Sequence, residues 1–122
     1  MIISCWNIRG LNQPSKQHEV TKFIFENNID ALGLVETKVN QANESFIKSK
    51  CFKHWCFVSN STTTSAGRIW IGWNPDRVNL TVLNSTSQLI QAHLVSDDNS
   101  VSCEVLFVYG HNKWGCKARI MV

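Results

Sequence analysis

Three polar side chains stand where apolar runs stop: Asn7 after Ile2 to Trp6, Glu36 after Ala31 to Val35, and Tyr109 at the close of Val101 to Val108. An amide converging with a single carboxylate suits Mg²⁺, which keeps several waters and takes few protein oxygens. The same residues have plainer readings. Asn7 also fits a turn-starting side chain bonded to backbone, and Glu36 fits a solvated strand terminus or a helix-start acid. Tyr109 forms a cluster with His111 and Asn112 in which phenol, imidazole and amide could bind phosphate or move protons. A tyrosine closing a strand also serves as a rim residue with its hydroxyl in water. Arg68 and Arg119 could contact phosphates or remain ordinary surface cations. Cys51, His54 and Cys56 invite a metal reading, but the spacing is not the short Cys-x-x-Cys knuckle and no second ligand pair follows. Buried thiols fit them better.

The elements that must position these groups follow from periodicity. Ile2 to Asn7 reads as a strand, Arg9-Gly10 punctuates it, and Pro14 falls near the first position of a helix. From Ser15 to Asn28, Val20, Phe23 and Ile24 recur at helical spacing with charges between them, a helix laid on a sheet. Asp30 to Val35 reads as a buried strand. The three make a βαβ unit, in which sites gather at the carboxyl ends of strands. Residues 40–50 carry only weak helical character around Phe46 and Ile47. Beyond Cys51, His54 to Ser59, Arg68 to Asn74, Val78 to Leu83, Leu89 to Val95 and Val101 to Tyr109 predict antiparallel strands. Turn residues at Asn74-Pro75-Asp76 and 97–100 favour a meander, with 60–65 a polar loop. Trp70 and Trp73 have opposite parity and must face opposite sides of their strand. The stretch 110–122 offers a loop and a few helix-tolerant residues with no closing strand, so the sheets need further partners.

At 122 residues the chain has room for one domain and not for two independent cores. Hydrophobic residues make up 43% and charged residues 17%, which excludes an intrinsically disordered chain. A net charge of +3 permits a phosphate-bearing partner without demanding one. The longest apolar run, Val105 to Tyr109, is five residues, far from the roughly 18 needed to span a bilayer, so no membrane partner is expected. No protein partner can be inferred. The first ten residues lack a basic leader and read as a strand, predicting an intracellular chain that is not secreted. Five cysteines, an odd set, predict reduced and mostly buried thiols. The Asn-x-Ser/Thr matches at Asn43, Asn60, Asn79 and Asn84 would matter only in an exported protein.

Four segments carry a resemblance: Ser-Cys-Trp-Asn-Ile-Arg-Gly-Leu at 4–11, Ala-Leu-Gly-Leu-Val-Glu-Thr-Lys at 31–38, Gly-Arg-Ile-Trp-Ile-Gly-Trp at 67–73 and Val-Tyr-Gly-His-Asn at 108–112. In this order they resemble the endonuclease/exonuclease/phosphatase family, most closely the apurinic-type endonuclease domain of plant LINE-type (non-LTR) retrotransposons. The resemblance implies an α/β fold, the amino-terminal half of a four-layer DNase I-like α/β sandwich with mixed, largely antiparallel sheets. It implies a Mg²⁺ (or Mn²⁺) phosphodiesterase acting on DNA, with Glu36 and Asn7 at the metal, Tyr109 on the scissile phosphate and Asn112 on the substrate side. A DNA substrate brings a nuclear place of action as an expectation.

The family's Gly-Asp-Phe-Asn and Ser-Asp-His motifs, which supply the water-activating aspartate and the histidine, have no counterpart here. Residues 1–122 therefore match a domain truncated at its carboxyl end, with one metal carboxylate and no general base. The expectation is a phosphodiesterase half that is inactive alone. The alternatives are a noncatalytic retroelement remnant, or a relative acting on another phosphoester such as a phosphoinositide or sphingomyelin.

Overall fold

A proline at the first helical position and apolar residues at 20, 23 and 24 start and orient helix α1 (Pro14–Glu26) in the computed structural model. The structure describes residues 1–61, 67–109 and the backbone of 117–121; the side chains of 67–68 and 117–121 lie outside the description. Before α1 comes β1 (Ile3–Asn7), and after it β2 (Ala31–Val39), a 3₁₀ turn (Gln41–Asn43) and α2 (Glu44–Cys51). Strands β3 (Cys56–Ser59), β4 (Gly67–Trp73), β5 (Val78–Ser85), β6 (Leu89–Ser96), β7 (Ser102–Val108) and β8 (Lys117–Met121) follow.

The strands form two four-stranded sheets, ordered β1-β2-β4-β3 and β5-β6-β7-β8. In the first, β1 and β2 are parallel, as the βαβ unit requires, and the other pairs are antiparallel; the second is an antiparallel meander. Sequence reading anticipated one antiparallel block after Cys51, whereas β3 and β4 join the first sheet. It also left 110–122 without a strand. Residues 117–121 in fact pair with β7, Leu106 opposite Arg119, because the edge of β7 supplies hydrogen bonds that a weakly apolar five-residue segment does not advertise. The weak helical signal at 40–50 becomes α2.

Alternation along β2 separates two cores. Leu32 and Leu34 face the helices with Val20, Ile47, Phe52 and Trp70, while Ala31 and Val35 face the second sheet with Ile71, Ile90, Leu94, Val105 and Phe107. Trp70 is on the helix side and Trp73 packs on the inter-sheet side, as their parity requires. Gly33 is where the sheets approach most demandingly: a Cβ there would collide with the Phe107 ring. Gln17, buried on α1, is satisfied by donating to the carbonyls of Leu11 (3.0 Å) and Asn12 (3.2 Å). Two of the thiols match the expectation of reduced, buried cysteines and two depart from it. Cys51 and Cys103 are buried and free, Cys56 is free but exposed, and Cys5 is disulfide-bonded.

Candidate active site

The site begins where β1 ends. Ile3 and Cys5 pack toward the inter-sheet core, so alternation places Asn7 on that face too, half-buried. Its Oδ1 is buried and has no hydrogen-bond partner among the described residues. A buried carbonyl oxygen in that state is open to a ligand, water or ion, as Trp70 Nε1 and Glu44 Oε2 are to a partner of their own. Asn7 pairs with Val35, the residue before Glu36, so the two predicted metal-side residues stand on adjacent strands, Asn7 at the end of β1 and Glu36 within β2.

Glu36 does not end β2, as the sequence reading had it. The strand continues to Val39 through an irregularity: regular pairing stops at Val35–Ile69 and resumes at Val39–Gly67, so β2 spends more chain than β4 across the same gap. Glu36 (φ 60°) and Lys38 (φ 57°) both take left-handed backbone there. Such conformations cost a non-glycine residue on the order of 1–3 kcal/mol and persist only where neighbours hold them. The segment after β1 does so. Gly10 N–H donates to Glu36 O (2.7 Å), Leu11 N–H to Thr37 O (2.9 Å) and Asn12 Nδ2 to Lys38 O (2.9 Å). Gly10 itself needs its φ of 104° to reach that alignment. Three successive bulge carbonyls are thus read by three successive residues, and the bulge re-aims Glu36 out of the β2 alternation.

Tyr109 follows β7 and is partly buried against the same inter-sheet core as Asn7, its N–H donating to Gln88 O at 2.7 Å. Phe107 lies over Gly33, and both strands run on toward the same end, so Tyr109 and Val35 stand at one level on facing sheets. Asn7, Glu36 and Tyr109 are therefore brought to one end of the sandwich. Arg68 lies on β4 between Gly67 and Ile69, opposite the Glu36 bulge, and Arg119 lies within β8; their side chains are outside the described residues. His111 and Asn112 are outside them altogether. Among the described residues no three of His, Cys, Asp and Glu come together.

Two features at this end escaped sequence reading. Glu44, the first residue of α2, is buried; its Oε1 accepts from Ser61 Oγ and its Oε2 has no partner among the described residues. Asn60, read only as loop, bridges the two sheets. A polar residue directly after a short strand was the only signal for it.

The structure of the AP endonuclease LMAP from Leishmania major matches this chain with a TM-score of 0.60 and 19% identity over 86% of the chain and 38% of that protein. The fold is DNase I-like. The chain thus spans 38% of the length of the DNase I-like protein it matches. No family model and no curated protein matches the sequence. Of the DNase I-like sandwich, the described residues form a helix layer and two sheets.

Proposed function

We propose that this chain forms the metal- and phosphate-binding part of a Mg²⁺-dependent (or Mn²⁺-dependent) phosphodiesterase that acts on DNA. The carrying observation is the buried Asn7 Oδ1, unpartnered among the described residues, on the strand beside the one that carries Glu36. These are hard oxygen donors of the kind Mg²⁺ takes, one carboxylate and one carbonyl with water elsewhere. When bound, the cation would stabilise charge on a phosphate in the transition state. Glu36 and Asn7 hold and orient it. The Tyr109 hydroxyl would donate to a phosphate oxygen; Asn112, by the resemblance, and Arg68 and Arg119, by their charge, are the further candidates for the phosphate. The family's Gly-Asp-Phe-Asn and Ser-Asp-His motifs, which supply its water-activating aspartate and histidine, have no counterpart in the sequence, which supports a chain that binds without hydrolysing. The resemblance of 4–11, 31–38, 67–73 and 108–112 supports a retroelement endonuclease, and with it a nuclear place of action. AP endonuclease LMAP as a match supports DNA over other phosphoesters.

Mn²⁺ titration followed by water-proton relaxation tests the reading. Glu36→Gln should weaken binding by more than the roughly 10-fold that even an outer partner of a metal ligand is worth. Unchanged affinity in that variant removes Glu36 from the site. A supercoiled-plasmid assay with Mg²⁺ should show no nicking by the 122 residues. Nicking that disappears in Glu36→Gln would keep the phosphodiesterase and overturn the requirement for a further base.

A further inference from the structure

We propose that Asn60 is a positioning residue for this site, holding Tyr109 on the second sheet in register with Asn7 and Glu36 on the first; the proposal rests on the reading just given. Asn60 is tied to β4 twice: its N–H donates to Ile69 O (3.2 Å), and its Oδ1 accepts from Ile69 N–H (2.9 Å). Ile69 pairs with Val35 and Val35 with Asn7, so this clamp grips the row of the first sheet that ends in the site. On its other side, Asn60 Nδ2 donates to Thr86 O (3.0 Å), in the turn between β5 and β6.

That turn is closed on itself. Thr86 N–H donates to Leu89 O (2.8 Å), and Thr86 Oγ1 accepts from the N–H groups of Gln88 and Leu89, each at 3.2 Å. Gln88 O then accepts from Tyr109 N–H at 2.7 Å. A hydrogen-bonded path therefore runs from the Asn7 row to Tyr109, and one side-chain amide carries its crossing between sheets. The orientation of that amide is set, because reversing it would oppose NH₂ to the Ile69 N–H and carbonyl to the Thr86 carbonyl. The inter-sheet core is apolar, and apolar burial is non-directional, so it resists separation better than sliding. A two-ended amide fixes the offset. Offsets matter here, since a misplacement of about 1 Å can cost on the order of 10²-fold in rate.

Tyr109 is the single tyrosine of the chain, so incorporated fluorotyrosine reports on it alone. Asn60→Asp keeps the acceptor for Ile69 N–H and loses the donor to Thr86 O, while Thr86→Val lesions the same path from the turn. Each variant should keep the Mn²⁺ affinity of the 122-residue chain, yet lose part of the Mn²⁺-induced broadening of the Tyr109 fluorine signal and exchange its Tyr109 amide faster. Thr86→Ser, which retains the hydroxyl, should restore both. Wild-type broadening and exchange in whichever of the two lesions folds overturns the proposal. If the wild-type chain binds no Mn²⁺, the metal reading fails by itself. Tyr109 amide exchange and the metal-free fluorine shift then decide the clamp, supported if Asn60→Asp or Thr86→Val moves them and overturned if neither does.

Discussion

Cys51 closes α2 beneath the helix layer at 2% exposure, and burial pushes its thiol up to about 12. Burial raises Cys103 in the same direction, whereas Cys56 on β3 is exposed. Because the thiolate is the reactive form, iodoacetamide near pH 8 should label Cys56 and spare Cys51 and Cys103 until the chain is unfolded, as read by peptide mass mapping. The raised folded value also sets a sign. The neutral Cys51 thiol stabilises the fold fully below its ordinary value of 9.0, and that contribution is lost as pH climbs from there toward about 12. At the acid end, the Ser100 hydroxyl and N–H bonded to Asp98 hold its carboxyl low; that group is fully exposed, so acid unfolding should owe little to it. Sequence reading preferred buried thiols to a metal at Cys51, His54 and Cys56; Cys51 is buried and Cys56 is exposed. It could not foresee that Asn7 would carry an oxygen without a partner among the described residues, because satisfaction of an amide depends on neighbours that are distant in the chain.

Among the elements, β2 carries the most. Its first five residues alternate between the cores and were legible as a buried strand; its last four were not, since positive φ at Glu36 and Lys38 breaks the alternation that marks a strand. The bulge is stabilised by the backbone N–H groups of Gly10 and Leu11 and the side-chain amide of Asn12, a tertiary contact that local periodicity does not signal. The same strand sets the sheet spacing through Gly33. Gly33→Ala should force the Phe107 ring aside and destabilise the fold by about 1–3 kcal/mol in a urea titration, the usual cost of overpacking. Pairing it with Phe107→Leu should recover part of that loss, a non-additivity expected of residues in contact. Strict additivity would show that the glycine is not there to admit the ring.

For the molecule as a whole, β2 and β4 each contribute side chains to both cores, Leu32 and Trp70 to one and Val35 and Ile71 to the other. Loss of either core removes one face of the shared sheet. Unfolding followed by far-UV circular dichroism at the helix band and by the Tyr109 fluorine signal should therefore give coincident midpoints. Separate midpoints would mean that the second sheet melts independently of the first. The outer face of the second sheet is mixed rather than apolar, with Gln91 Nε2 donating to Glu104 Oε2 (3.3 Å) and His93 Nε2 bonded to Ser102 Oγ (2.8 Å). This lessens the insolubility that an uncovered sheet would otherwise bring. The βαβ unit, the strand-rich second half and the strand-end placement of Asn7 and Tyr109 were determined by the sequence itself, because local periodicity and turn chemistry decide which residues face a core and where an element stops. Tertiary structure alone decided that β3 and β4 join the first sheet, that 117–121 pair with β7, that β2 bulges at Glu36 and that Asn60 spans the sheets. Each depends on hydrogen bonds between residues far apart in the chain, and those bonds form only once burial has brought their strands side by side.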